Sequence, residues 1–213
     1  MPQPREFFAR PALEVAPDLL GCLLTARASE GAVTLRITEV EAYAGSHDSA
    51  SHAYRGRPAR NAVLFGPPGY ANGYFIYGMH YAVNVVCMPP DTAEAVLVRA
   101  GEIVEGRALA HARRPTARTD AELGRGPGRL ATALGLTRAL DGADLCAPGG
   151  PLTLDPPDRP VNPDLIRRGP RTGVSTAADL PWRLHLHADP TVSPYRRAKT
   201  AGPAPKTPSE LPG

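Results

Sequence analysis

Apolar and polar residues alternate between positions 33 and 38, with Val33, Leu35 and Ile37 as the apolar members. This period of two is typical of a half-buried β-strand. The same parity continues to Glu39 and Glu41, so both carboxylates point toward the apolar side unless a bulge resets the register. Burial disfavours a charged carboxylate unless something compensates, so this placement needs a specific reason.

Other segments also show strand or helix patterns. Alternation or β-rich composition predicts further strands over residues 74–77, 81–87, 95–99, 152–154 and 182–187. In the last of these, Trp182, Leu184 and Leu186 face one way. Helices are predicted over residues 12–20, 102–114 and 128–136, the first ended by Gly21 and the last preceded by the residues GPGR.

The segments together predict an α+β (mixed α/β) fold, a single compact domain built around an antiparallel β-sheet flanked by helices. There is no βαβ alternation and no internal repeat. Residues 1–9 and the Pro-rich residues 194–213 are expected to be poorly ordered, which leaves residues 10–193 as the folded catalytic body. Residues 41–69 read as a long loop, and loops of this length tend to be functional.

Composition narrows the class of protein. Of the 213 residues, 42% are hydrophobic, enough for a core, but no apolar run approaches the roughly 18 residues that a membrane span needs. The N-terminus lacks the pattern of a signal peptide, so we expect a cytoplasmic protein without a membrane partner. Three scattered cysteines indicate buried thiols rather than a disulfide framework. The net charge is only +3, and the two lysines, Lys199 and Lys206, both lie in the tail.

Several residues with aromatic, amide, imidazole or guanidinium side chains follow Glu41 along the sequence. They are Tyr43, His52, Tyr54, Tyr74, Tyr77, Tyr81, Asn84 and Arg99. Flat aromatic rings suit a pocket for an unstacked base, since each base stacked on an aromatic ring gains about 1–3 kcal/mol. A carboxylate beside such a pocket can activate water and stabilise positive charge on a sugar during N-glycosidic cleavage.

Simpler interpretations remain open for the same residues. Glu41 could be a salt-bridge partner at a strand end, the tyrosines could pack in the sheet, and His52 could be an ordinary loop histidine. His47, Asp48 and His52 could bind a metal, but their spacing matches no familiar ligand pattern. No nucleophile elbow, Walker A loop or dinucleotide fingerprint is present, so we expect neither a metal nor a cofactor.

Seven ordered motifs give the chain a resemblance to the alkyladenine (3-methyladenine) DNA glycosylase family. They are ITEVEAY (37–43), SHAYRGR (51–57), ARN (59–61), FIYGMHYAVNVV (75–86), VLVRA (96–100), GPGRL (126–130) and RTGV (171–174). The resemblance covers about residues 13–193. It implies a compact domain with a curved antiparallel sheet and a monofunctional enzyme that excises alkylated or deaminated purines from double-stranded DNA.

The resemblance also implies roles for particular residues. Glu41 corresponds to the general base, Tyr43, His52 and Tyr74 to the walls of the base pocket, and Tyr77 to the aromatic side chain that enters the duplex where the base left. Asn84 corresponds to a residue that excludes the exocyclic amine of guanine, and Arg99 to an arginine that lies at the pocket edge or contacts a phosphate. The predicted contacts to the DNA backbone are Arg55, Arg57, Arg60 and Arg129.

Two departures from the family pattern affect these expectations. Asn72-Gly73 replaces an aromatic residue and a valine, and glycine can weaken a strand or open a bulge beside the pocket. Pro58-Ala59 replaces the usual Thr-Pro before Arg60, which can reshape a loop near the DNA backbone. Both leave Glu41 and the predicted pocket tyrosines in place, but they leave the preferred lesion open.

Two alternative functions differ from this one in their chemistry. A bifunctional glycosylase needs an amine nucleophile, and the body contains no lysine. A non-catalytic relative that binds damaged DNA would keep the pocket without its chemistry. We expect a monomeric, nucleoid-associated glycosylase whose DNA binding weakens with salt, because arginines displace counterions from phosphates.

Overall fold

The computed structural model describes residues 1–76 and 80–201, apart from the side chains of Arg60, residues 74–76 and His80. Within those ranges no helix has the length and apolar character required to cross a membrane. The helices are short and pack against a β-sheet. They are α1 (Arg5–Phe8), α2 (Ala12–Leu19), α3 (Arg107–Arg113), α4 (Asp120–Leu123) and α5 (Pro127–Leu134).

The strands form one antiparallel sheet, which confirms the predicted α+β class. They are β1 (Leu23–Ala28), β2 (Gly31–Tyr43), β3 (Ala71–Ile76), β4 (His80–Cys87), β5 (Glu94–Glu105), β6 (Leu152–Asp155), β7 (Ile166–Gly169) and β8 (Arg183–Leu186). The strand order is β3-β4-β5-β2-β1-β6, and β8 pairs with both β2 and β7. The core packs α2 and α5 against the face of the sheet that carries Val85, Val96 and Val98.

Strand β2 is the centre of the sheet and changes partner along its length. Residues 31–36 pair with β1, whereas residues 39–41 pair with β8 on the same edge. On its other edge β2 pairs with β5, where Ile37 lies opposite Gly101 and Glu39 opposite Ala100. Thr38 is therefore an extra residue, a β-bulge.

This bulge reverses which side chains of β2 face the core. Ile37 belongs to the hydrophobic core, but after the bulge Val40 does as well, and so Glu39 and Glu41 lie on the opposite face. The bulge that the sequence analysis allowed for is therefore present, and it turns both carboxylates away from the apolar core. Both glutamates are nevertheless fully buried, since the C-terminal part of the chain covers this face.

Several element boundaries differ from the sequence predictions. Residues 102–105 belong to β5 rather than to a helix, and α3 begins only after Gly106, whose φ of 72° ends the strand. Strands β1 and β7 were not predicted, and β7 has no alternation of buried and exposed residues to indicate it. Residues 1–9, expected to be poorly ordered, contain α1, and its Phe8 is completely buried.

The long loop after β2 also contains regular structure. Two 3-10 helices, Gly45–His47 and Ala59–Phe65, lie within it. The departure at Asn72-Gly73 does not open a bulge, because β3 and β4 pair in unbroken register from Ala71–Val85 to Ile76–His80. The second of these 3-10 helices packs against β3, β4 and β5.

Candidate active site

The side chain of Glu41 is fully buried but reaches residues that line a large cavity. Its Oε2 accepts a hydrogen bond from the Tyr43 hydroxyl at 2.9 Å, and its Oε1 accepts one from the backbone N–H of Thr172 at 2.7 Å. The Nη1 of Arg99 lies 3.3 Å from the same Oε1. Tyr43, Thr172 and Arg99 all line the cavity, so Glu41 lies directly behind its wall.

Arg99 reaches both glutamates because β5 carries a bulge of its own. The Glu39–Ala100 pair is followed directly by Val40–Val98, so Arg99 has no partner in the register. Its Nε donates to Glu39 Oε1 at 3.0 Å while its Nη1 faces Glu41. One guanidinium group thereby links the two buried carboxylates.

Glu39 is bound more completely than Glu41. Its Oε1 accepts hydrogen bonds from Arg183 Nε at 2.6 Å and from the Ser193 hydroxyl at 2.9 Å, and its Oε2 accepts one from the Ser193 N–H at 2.7 Å. Burial alone would raise the pKa of Glu39, but the charges of Arg99 and Arg183 and these hydrogen bonds together hold its pKa below the ordinary value. The negative charges of the two glutamates are thus balanced by the positive charges of Arg99 and Arg183.

Tyr43 is held by a second buried ion pair that sequence reasoning missed. The guanidinium of Arg171 lies 4.6 Å from the Tyr43 ring centroid and 5.0 Å from that of Trp182. Asp48 binds Arg171 through both carboxylate oxygens, and Arg171 also donates to the carbonyl of Ala42 at 3.0 Å. Arg171 appeared only within the RTGV motif, and Asp48 only as a metal candidate. Because both carboxylate oxygens of Asp48 bind Arg171, a structural role for Asp48 is favoured over metal binding.

The cavity has a volume of about 870 Å³, within the roughly 300–1,000 Å³ typical of ligand sites. Most of its lining residues come from three parts of the chain: the loop at residues 49–58, strands β4 and β5, and residues 172–176. Tyr43, Leu64, Ala93, Pro127 and Arg196 complete the lining. Of the predicted pocket residues, Tyr43, His52, Asn84 and Arg99 line this cavity. His52 is exposed at the loop, whereas Asn84 and Arg99 are buried.

The orientation of Asn84 is set by two neighbours. The carboxylate of Asp141 accepts hydrogen bonds from the Asn72 side-chain amide at 3.2 Å and from the Gly73 N–H at 2.9 Å. Because an ionised carboxylate only accepts, Asn72 must turn its N–H toward Asp141 and its carbonyl toward Asn84. Asn84 then donates its own N–H to that carbonyl at 3.3 Å. Asn72 and Gly73, which replace the usual aromatic residue and valine, therefore help to fix the orientation of the Asn84 side chain.

The predicted DNA-backbone arginines have different surroundings. Arg55 is exposed and lines the cavity, and Arg129 is exposed in the first turn of α5, two residues after the cavity-lining Pro127. Arg57 is exposed but forms an ion pair with Asp91 at 2.7 Å and lies 5.5 Å from the Phe65 ring centroid. Arg60 belongs to the 3-10 helix Ala59–Phe65, and its side chain lies outside the description.

Two predicted aromatic residues cannot be placed as side chains. Tyr74 is in β3, where its backbone pairs with Ala82, but its side chain is outside the description. Tyr77, predicted to enter the duplex, lies outside the described residues altogether. Their roles remain predictions.

Comparison with known proteins gives a consistent assignment. The family model described as methylpurine-DNA glycosylase (MPG) matches residues 6–190. A protein from Streptomyces avermitilis is 60% identical over 197 residues, which is 92% of each chain. One from Methanocella arvoryzae is 46% identical over 89% of this chain and 94% of its own length. Both carry the description "Putative 3-methyladenine DNA glycosylase".

The family match spans most of the chain, and it includes the strands, the loop and residues 172–176 that line the cavity, but not Arg196. The relatives are matched over nearly their whole lengths, so the similarity is not confined to one element. The chain therefore belongs to the methylpurine-DNA glycosylase family and is an enzyme of the 3-methyladenine DNA glycosylase class, a hydrolase of N-glycosidic bonds in DNA.

Proposed function

We propose that this glycosylase flips an alkylated or deaminated purine out of double-stranded DNA into the 870 Å³ cavity and hydrolyses its N-glycosidic bond with a water activated by Glu41. The observation that carries the proposal is the position of Glu41, a buried carboxylate whose three hydrogen-bonding or ionic partners all line that cavity.

Glu41 retains capacity to bind a water. An ionised carboxylate has about four lone-pair sites. Thr172 and Arg99 occupy Oε1 and Tyr43 occupies one site of Oε2, so one site on Oε2 is left for a water that donates to it. Glu41 would take that proton as the water oxygen bonds to the sugar carbon and the base departs with the glycosidic electron pair. The carboxylate charge would also stabilise the positive charge on the sugar.

The cavity wall suits a flat, electron-poor base. One face of the Tyr43 ring is covered by Arg171, whose charge Asp48 neutralises, so only the other face can stack on a base. A cationic alkylpurine is attracted to such an electron-rich ring and is already a good leaving group. Asn84, held in one orientation by Asn72, would exclude the exocyclic amine of guanine. Tyr74 and His52 would complete the walls.

DNA binding would use Arg55, Arg57, Arg60 and Arg129 on the phosphates, with Tyr77 filling the gap that the flipped base leaves. Arg57 must first give up or share its ion pair with Asp91, which costs little because both side chains are exposed. We expect the enzyme to act as a monomer on nucleoid DNA. No role in this scheme requires a metal or a cofactor.

The test is base release from duplexes that each carry one defined lesion, comparing wild type with Glu41→Gln. Loss of one proton acceptor should reduce the single-turnover rate by about 10²–10⁴-fold while binding of lesion DNA is retained. Full activity of Glu41→Gln would overturn the proposal. Tight lesion binding by wild type without any base release would instead identify a non-catalytic binder, and a borohydride-trapped adduct would identify a bifunctional enzyme.

A further inference from the structure

The last described part of the chain is residues 193–201, which we call the C-terminal arm. Arg196, in the middle of the arm, is exposed and lines the cavity together with residues 172–176. Residues 194–213 were expected to be poorly ordered, yet the arm up to Ala201 makes specific contacts with the folded body. Contacts with the folded body therefore fix the position of Arg196, which a disordered tail would not do.

The arm is attached to the body at its beginning through Glu39. Both the N–H and the hydroxyl of Ser193 donate to the Glu39 carboxylate, at 2.7 and 2.9 Å, and Arg183 donates to the Ser193 carbonyl at 2.8 Å. All three residues are buried. Glu39 therefore holds the C-terminal arm in place, a role that is separate from hydrolysis of the N-glycosidic bond.

Two further contacts fix the arm, one at the backbone of Arg196 and one at the side chain of Arg197. The Arg196 carbonyl accepts a hydrogen bond from the Gly173 N–H at 2.9 Å, next to Thr172, which binds Glu41. Arg197 forms an ion pair with Asp179 at 2.7 Å. The backbone of Arg196 is thereby tied to the same loop that closes over Glu41, while its side chain faces outward.

The charge of Arg196 has no carboxylate to balance it within the described residues, 1–76 and 80–201, where none lies within 4.0 Å of its guanidinium. Its immediate neighbours in sequence, Tyr195 and Arg197, add an exposed aromatic ring and another cation. An exposed, unneutralised guanidinium at the edge of a cavity that receives a nucleotide from DNA is placed to meet the phosphates that flank that nucleotide.

We propose that the C-terminal arm is part of the DNA-binding surface and that Arg196 binds a backbone phosphate next to the flipped nucleotide. Glu39 positions the arm through Ser193. The contact contributes affinity that does not depend on sequence or lesion, because a phosphate carries no base information. The inference rests on the DNA-glycosylase activity, but not on Glu41 as the base.

The test is equilibrium binding of Arg196→Ala to lesion-bearing and undamaged duplexes between 50 and about 200 mM salt. Removing one phosphate contact should weaken binding of both duplexes by roughly three- to tenfold and reduce the magnitude of the slope of log K against log salt by about 0.9. Folding should be unaffected, since the Gly173 hydrogen bond uses the backbone of residue 196.

Arg159→Ala is the matched control, because it removes the same charge from an exposed arginine in the loop after β6, at the far edge of the sheet from β4. It should leave the slope unchanged. An unchanged slope for Arg196→Ala, or an equal loss in both variants, overturns the proposal. Base release by Glu41→Gln reports separately on the chemistry.

Discussion

Glu39 and Glu41 are two residues apart on the same face of β2, and both are fully buried, but their surroundings are different. Glu39 is closed in by two arginines and by both donors of Ser193. Glu41 has one arginine at a longer distance, a hydroxyl and one N–H, and all of these belong to a cavity wall. A carboxylate enclosed by two arginines and a buried serine holds structure together, whereas one whose remaining acceptor site lies beside a cavity can take part in chemistry.

Replacing each glutamate by glutamine should separate the two roles most strongly. Breaking a buried ion pair on one side costs about 3–5 kcal/mol of unfolding free energy, and we expect Glu39→Gln to reach this range because two guanidinium groups and a backbone N–H face it. Glu41→Gln should cost less, since only Arg99 loses a charge partner, at 3.3 Å. Urea unfolding of the three proteins measures both differences.

The pH dependence of the stability difference between wild type and Glu39→Gln is the control for this comparison. The pKa of Glu39 is lowered in the folded protein, so its stabilising contribution is complete above the unfolded pKa, about 4.3, and is lost as the pH falls through the folded-state pKa. The stability difference between wild type and Glu39→Gln should therefore be constant near pH 7 and shrink in acid. A difference that is independent of pH would mean that Glu39 acts by shape rather than by charge.

On the Glu41 side, the ring of Tyr43 depends on the planar cation beneath it. Arg171→Lys keeps the charge near Asp48 but loses the flat group between Tyr43 and Trp182 and the two-oxygen contact. We expect single-turnover base release to fall by about tenfold, equivalent to about 1.4 kcal/mol. The Glu39 anchor is separate from this pair, so the salt dependence of DNA binding should stay that of wild type. A change in that slope instead would show that Arg171 acts on the DNA contact.

The smallest expected effect concerns selectivity. Asn72→Ala removes the acceptor that fixes the Asn84 amide, and one such hydrogen bond is worth about 0.5–1.5 kcal/mol. The ratio of excision of adenine-type to guanine-type bases should therefore fall by roughly two- to tenfold. The measurement is a competition assay between two duplexes, one carrying each type of base. Asn84→Ala should shift the ratio further in the same direction. Opposite shifts in the two variants would rule out that Asn72 acts through Asn84.

Local patterns predicted the elements whose signal is itself local. The alternation of Val33, Leu35 and Ile37 gave the start of β2, and Gly21 marked the end of α2. Helix α5 was expected from the residues GPGR, and the structure places Gly126 at its N-cap and Pro127 at its first position. Where the signal was ambiguous the prediction was wrong, as at residues 102–105, whose strand character comes from pairing with β2.

The sequence by itself determined the fold class, the family and the candidacy of Glu41, because hydrophobic period and ordered motifs are properties of the chain. The tertiary structure decided which face Glu41 occupies, since a single inserted residue, Thr38, reverses the alternation and only strand pairing reveals it. It also decided the partners of Glu39, Arg183 and Ser193, which are 144 and 154 positions away along the chain. A period describes neighbours in sequence, whereas contacts that balance buried charge form between residues that only folding brings together.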